Sequence, residues 1–249
     1  MAATLVADFT DPLDHGITVV DTGFVRERFD ASYLVTENGR GAFVETTQPS
    51  GIAAATVKTS GWCTVFADVD NDGWKDIFTA NSHVNDRIGD FQSIQWKQPN
   101  SLFINDGQQN PGRFRDATSE GGFADTAAVH RGCGVADFDG DGRLDVVVLV
   151  IGGNAELWKN ESTPDHRWLL VRLTGTKSNR DGIGARVTIG KQVRTMTTSI
   201  GYASSSHAGL HFGLGGSADP VTVEVQWPSG IKQTLENVKT NQVLEIVEK

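Results

Sequence analysis

Apolar and polar residues alternate over short stretches along most of this chain, and none of them sustains the 3.6-residue apolar period of an amphipathic helix. The alternating runs come in pairs. Ser32-Tyr33-Leu34-Val35 leads through Asn38-Gly39 into Ala42–Thr46, and Ser101–Asn105 leads through Asp106-Gly107 into Arg113–Asp116. Asn-Gly and Asp-Gly between alternating runs mark tight hairpin turns. A third run, Glu156–Asn160, has no such partner before the pattern stops. Upstream of each run lies another repeated phrase: Ala7-Asp8-Phe9, Ala67-Asp68-Val69 and Ala136-Asp137-Phe138. Each is followed by an acidic turn and an apolar strand, Ile17–Val20, Asp76–Ala80 and Asp145–Ile151. The unit is thus about four antiparallel strands in roughly 60 residues, somewhat longer than an ordinary propeller blade.

After Pro164 the pattern changes. Trp168–Leu173, Ala185–Ile189, Val193–Thr198, Leu210–Leu214, Val221–Trp227 and Val243–Val247 read as strands between Gly, Asn and Pro turns. The spacing predicts an all-β chain in two parts. Residues 1–162 form a partial β-propeller of about three four-stranded blades (1–60 degenerate, then 61–130 and 131–162), and residues 163–249 form a small β-sandwich or barrel.

Composition changes this picture little. The 249 residues are 38% hydrophobic and 21% charged, an ordinary globular balance rather than a disordered one. A formal net charge of -9 argues against nucleic acid as the main partner, since phosphate binding needs a surplus of Lys and Arg. Met1–Phe9 has neither the basic nor the apolar region of a signal peptide, so any export signal is expected to have been cut away or never to have existed. The longest apolar run, Val146–Ile151, is too short to span a bilayer. The two cysteines, Cys63 and Cys133, exclude a disulfide framework and a cysteine-based zinc site. They are expected as two buried free thiols, with a disulfide between neighbouring blades as the alternative.

The chemistry lies in the acidic turns. Asp68, Asp70, Asp72 and Asp76 occupy positions 1, 3, 5 and 9 of one loop, and Asp137, Asp139, Asp141 and Asp145 the same positions of another, each with Gly at position 6. Alternate carboxylates in a tightly curled loop converge on one point. That supplies the oxygen donors a hard cation such as Ca²⁺ requires, with the backbone carbonyls of Trp74 and Arg143 at position 7 adding to the set. An EF-hand would need Glu at position 12, where Thr79 and Val148 stand, and flanking helices. Mg²⁺ fits less well because it keeps more of its waters. The expectation is two structural Ca²⁺ sites. A shorter copy at Asp8–Asp14 lacks the Gly and contains Pro12. With every Asp of the loops committed to metal, none is left over as acid or base.

Other polar clusters carry less. His207 and His211 are four apart but not on one helical face, and Gly201–Ser206 is not a serine-hydrolase elbow. Ser178-Asn179-Arg180-Asp181 reads first as a turn whose polar side chains bond their own backbone, and second as a loop in which Arg180 or Arg186 pairs a carboxylate. Asn160-Glu161-Ser162 satisfies a glycosylation sequon.

The acidic repeat resembles the FG-GAP/VCBS type of propeller blade, as do Asn100–Gly107 and Arg113–Thr118. The C-terminal part resembles the ASPIC/UnbV domain through His166–Leu169, Ser178–Val187, Gly201-Tyr202, Leu210–Gly215 and Trp227–Gly230, with Asn237-Val238 and Asn241-Gln242. The combination is similar to the cartilage acidic protein family and its bacterial relatives. That resemblance implies an extracellular or cell-envelope, calcium-binding, non-enzymatic module for adhesion or for contact with a protein or glycan. The runner-up is a carbohydrate-active enzyme or its accessory domain, which would need a second carboxylate pair across a cleft. Relatives close a full ring, commonly of seven blades, whereas about three are encoded here. The expectation is therefore a piece of a longer protein; self-association between arcs is the alternative, to be recognised by a light-scattering mass at the dimer or above.

Overall fold

The computed structural model describes residues 45–249 except 108, 111, 163, 164 and 208, together with the strand backbone of four short segments that begin before residue 45. Those segments, β1 (Leu5–Ala7), β2 (Thr18–Val20), β3 (Tyr33–Glu37) and β4 (Phe43–Glu45), form one antiparallel sheet in chain order. The shortened acidic copy Asp8–Asp14 lies outside the described residues. Two single-turn helices, α1 (Thr47–Ser50) and α2 (Ala53–Thr56), lead into the second blade.

That blade is β5 (Gly61–Ala67), β6 (Asp76–Asn81), β7 (Ser101–Asn105) and β8 (Phe114–Asp116), again in chain order. The third blade repeats it with β9 (His130–Ala136), β10 (Asp145–Val150) and β11 (Glu156–Trp158). Here the structure departs from the expected four strands, since the sheet holds three among the described residues. The register is the same in both blades: Ala67 pairs with Asp76, and Ala136 with Asp145. Each acidic loop is therefore the connection between the first two strands of its blade.

Blades two and three pack face to face. Cys63, Val65, Phe78 and Ala80 of one meet Cys133, Val146 and Val148 of the other, with Phe123 filling the space between. Cys63 and Cys133 are joined by a disulfide, with their Cα atoms 5.7 Å apart and 70 residues between them in the chain. The expectation of free thiols is thus corrected, and the reason is one of parity. Cys63 stands five residues before Asp68 and Cys133 four before Asp137. Because strand side chains alternate faces, that single-residue difference puts the two thiols on opposite faces of equivalent strands. Stacked blades then turn those faces toward each other. The outer face of the third blade is open: Leu149 and Leu157 are 57% and 66% exposed, whereas Ala80 and Leu102, their equivalents in the second blade, pack into the core between the blades.

The C-terminal part contains β12 (Arg167–Thr174), β13 (Arg186–Ile189), β14 (Gln192–Thr195), β15 (Ser199–Ile200), β16 (Ser204–Ser205), β17 (Leu210–Gly215), β18 (Val221–Gln226), β19 (Lys232–Val238) and β20 (Gln242–Val247). Two sheets, β17-β12-β20 and β14-β13-β18-β19, enclose a core of Leu169, Val171, Val187, Phe212, Val223 and Trp227. The arrangement is a sandwich, not a closed barrel. β12 and β20 run parallel, joining the beginning of this part to its end. The β15–β16 hairpin reaches back to the blades. Tyr202 N–H donates to Trp62 O at 3.2 Å, and Ser204 Oγ accepts from Cys133 N–H at 3.0 Å.

Candidate metal centre

Both acidic loops are drawn into rings by their own carboxylates. Asp76 Oδ2 accepts from Val69 N–H at 2.8 Å, and Asp145 Oδ2 from Phe138 N–H at 3.0 Å, so position 9 closes on position 2 in each. Position 1 reaches across to position 6: Asp68 Oδ2 accepts from Gly73 N–H, and Asp137 Oδ2 from Gly142 N–H, both at 2.9 Å. The chain can curl this tightly because two positions adopt left-handed backbone. Position 6 is Gly73 (φ 94°) or Gly142 (φ 88°), and position 4 is Asn71 (φ 61°) or Gly140 (φ 78°). The requirement at position 6 was legible from the Gly, while the one at position 4 was hidden because an Asn meets it in one loop.

The rings bring carboxylates together. Oxygens of Asp68, Asp70 and Asp76 lie within 4.8 Å of one another, as do those of Asp137, Asp139 and Asp145. Asp72 and Asp141, the position-5 residues, stand outside these groups. Asp72 Oδ1 accepts from Trp74 N–H at 2.7 Å, and Asp141 Oδ1 from Arg143 N–H at 2.9 Å. The residue that holds the ninth carboxylate was not singled out by its sequence. Asp76 Oδ1 accepts from Asn105 N–H and Asp145 Oδ1 from Asn160 N–H, each at 2.8 Å, while the two Asn amides donate to the position-8 carbonyls of Lys75 and Leu144. Both Asn residues end the third strand run of their repeats, and that shared place is the signal that marks them.

The donor set suits a hard divalent cation. Asp68 and Asp76 are only 3% and 1% exposed, and Asp68 Oδ1 is buried without a hydrogen-bond partner. Burial raises the pKa of Asp68 well above the carboxylate norm, and the charges of Asp76, Asp72 and Asp70 raise it further. Burial does the same for Asp76, with Asp70 adding to it. Asp72 is pushed up to about 6, mainly by burial and against the pull of the Trp74 N–H. A cation would relieve all three. In the second loop, Lys159 Nζ lies 2.8 Å from Asp139 and holds its carboxyl below the usual range, and Arg143 pairs with Asp141.

Residues 175–249 match the family model of ASPIC and UnbV, and residues 85–148 that of the FG-GAP-like repeat, which takes in the second acidic loop. Along the chain, an FG-GAP-like match is thus followed by an ASPIC and UnbV match. The chain is 27% identical to human cartilage acidic protein 1 over 98% of its own length and 38% of that protein. Against the mouse protein the figures are 27%, 97% and 38%, and against the Xenopus tropicalis protein 26%, 73% and 28%. The chain thus spans well under half the length of the curated relatives it matches.

The C-terminal sandwich meets both loops. A Cβ added to Gly213 would run into Asp68 Oδ2 and come within 2.7 Å of the Asn71 backbone, so β17 needs Gly there. One added to Gly142 would meet the indole of Trp168. Gly142 O accepts from both Asn71 Nδ2 and His211 Nε2 at 3.1 Å, bridging the two loops. A carbonyl can only accept, so His211 carries its proton on Nε2, and burial lowers its pKa to about 4. His211 is thus a neutral structural donor on β17, a strand and not a helical face.

The Ser178–Asp181 segment is a turn. Asn179 Oδ1 accepts from Ile183 N–H at 2.8 Å, and Arg180 pairs with its neighbour Asp181 at 2.9 Å. Glu248, absent from the sequence reading, anchors this end. Burial alone would raise its pKa, but the N–H groups of Ser178, Lys177 and Thr176 and the Ser229 hydroxyl lower it to about 2.

Proposed function

We propose that this chain is a calcium-stabilised, non-enzymatic extracellular binding module in which the metal is structural. The observation that carries the reading is Asp68, a buried carboxylate with an oxygen that no donor satisfies, beside the carboxylates of Asp70 and Asp76. Asp70 and Asp76 with Asp68, and Asp139 and Asp145 with Asp137, would hold the two ions. Bound Ca²⁺ would offset the repulsion among the buried carboxylates of the first loop, and the oxygen-only donor set with flexible spacing favours that ion. The extracellular assignment draws support from the Cys63–Cys133 disulfide, since such bonds persist in oxidising compartments, and from the likeness to cartilage acidic protein 1. No helix of the described residues is long and apolar enough to cross a membrane. The ligand is a protein or glycan bound away from the first loop, which the C-terminal domain buries.

Chelation tests the reading. At free Ca²⁺ about a thousand-fold above Kd, linkage stabilises the fold by about 4 kcal/mol, so EGTA should lower Tm by on the order of 10 °C. An unchanged melting curve would sink the proposal.

A further inference from the structure

Three consecutive carbonyls of the first loop are each held by a different element. Val69 O accepts from Asn160 Nδ2 of the third blade at 2.7 Å. Asp70 O accepts from His166 Nδ1, just before β12, at 2.8 Å, and Asn71 O accepts from Gly215 N–H at the end of β17 at 2.9 Å. Beneath them, Gln192 Nε2 donates to Gly213 O at 2.7 Å and stands 3.3 Å from where a Gly73 Cβ would lie. A loop whose carbonyls are tied outward has its carboxylates directed inward before any ion arrives. Such preorganisation removes an ordering cost that binding would otherwise bear. Two of the three ties come from outside the blades, and the orphaned Asp68 Oδ1 lies in the ring they hold.

We infer that His166 and the Gly213–Gly215 end of β17 clamp the first acidic loop, so that the C-terminal domain sets the loop's affinity for its divalent cation. By linkage, cation binding fixes the C-terminal domain against the blades with the same coupling free energy. The inference rests on the calcium reading above and extends it: the first site belongs to the interface between the two parts of the chain. His166, Gly213 and Gly215 are positioning residues, not ligands.

The test uses the full chain with the second loop silenced by Asp137→Asn and Asp139→Asn, titrated calorimetrically with Ca²⁺. His166→Ala removes one clamp bond and should raise Kd about five-fold, a typical effect of one hydrogen bond. His166→Gln, whose amide can reach the same carbonyl, should recover part of that loss. Gly213→Ala should weaken binding by more than about ten-fold, because its methyl occupies the space of Asp68 Oδ2. If that variant fails to fold, the His166 pair decides. The reciprocal readout is hydrogen exchange of the Gly215 amide, which should slow when Ca²⁺ is added. Unchanged affinity in His166→Ala, or Gly215 exchange indifferent to bound Ca²⁺, overturns the clamp and leaves the calcium reading standing. Absence of any Ca²⁺ binding to the unmodified chain overturns both.

Discussion

The loops Asp68–Asp76 and Asp137–Asp145 carry the same aspartates at the same spacing, connect equivalent strands, and are each closed by an Asn at or just past the end of the third strand of their own blade. Their surroundings differ. Loop one has Trp74 where loop two has Arg143, and Ile104 where loop two has Lys159. The two cations of loop two sit on Asp141 and Asp139, and Asp137 Oδ1 accepts from Gly140 and Asp141 N–H. The matching Asp68 Oδ1 accepts from no donor and is buried under the C-terminal domain. One motif has therefore been placed in two electrostatic settings. In one, the converging carboxylates are buried and an ion would offset their repulsion; in the other, side-chain cations sit on two of the carboxylates.

Removing the first ligand of each loop should separate the two most sharply. With saturating Ca²⁺, Asp68→Asn should abolish most of the calcium-dependent gain in Tm, on the order of 10 °C. Asp137→Asn should remove less than half as much. In EGTA the order reverses. Asp68→Asn should melt at or above the unmodified chain because it deletes a buried charge, whereas Asp137→Asn should melt below it because it weakens three backbone contacts. Equal losses in both variants would mean that burial does not distinguish the loops.

The second contrast is in pH and should be smaller. For Asp72 the folded pKa of about 6 lies above the unfolded 3.8, so the folded state binds more protons between these values. Stability of the calcium-free chain from this group is fully present below pH 3.8 and lost as pH rises through about 6. Asp68 and Asp76 shift in the same direction. Asp139 has the opposite sign, its pKa being lowered by Lys159, so its contribution is present above the unfolded value and lost on acidification. His211 pulls the other way, since its folded pKa of about 4 lies below the unfolded 6.5 and its contribution grows as pH rises through that window. The contrast is therefore read as a difference: in the calcium-free chain, the Tm of Asp72→Asn relative to the unmodified chain should be a few degrees higher at pH 7 than at pH 4. Ca²⁺ should erase that gain, since the ion binds only ionised carboxylates. A difference that does not change with pH would contradict the assignment.

How much of this could be seen in the sequence depends on distance along the chain. The nine-residue spacing fixed which side chains converge, and the repeat placed both loops between the same two strands, because these features are local. The runs Trp168–Leu173 and Val221–Trp227 announced β12 and β18 by their alternation. Lys232–Val238 did not, because only Leu235 and Val238 are apolar in it, and β15 and β16 are two residues each. The disulfide was within reach through the parity of the cysteine offsets, but only once stacked blades were assumed. The inequality of the loops was out of reach. It arises from Gly213, Gly215 and His166, which meet the first loop from roughly 95–145 positions away, and no local pattern encodes such a contact.

The smallest expected effect tests whether the cations of loop two stand in for an ion. Lys159→Ala deletes the partner of Asp139, an exposed pair 2.8 Å apart. Surface pairs contribute little to folding, so Tm should change by less than about 3 °C. Metal binding should respond in the other direction. The ammonium and a Ca²⁺ ion compete for the same carboxylate, so removing the first should tighten the second site by about two- to five-fold. High salt should shrink that gain, because it already screens the Lys159–Asp139 pair in the unmodified chain. Calorimetry of the two chains at low and high ionic strength reads this directly. A second site that weakens on losing Lys159 would show the ammonium to be a support for the loop and not a substitute for its ion. The contrast between the loops would then rest on burial alone.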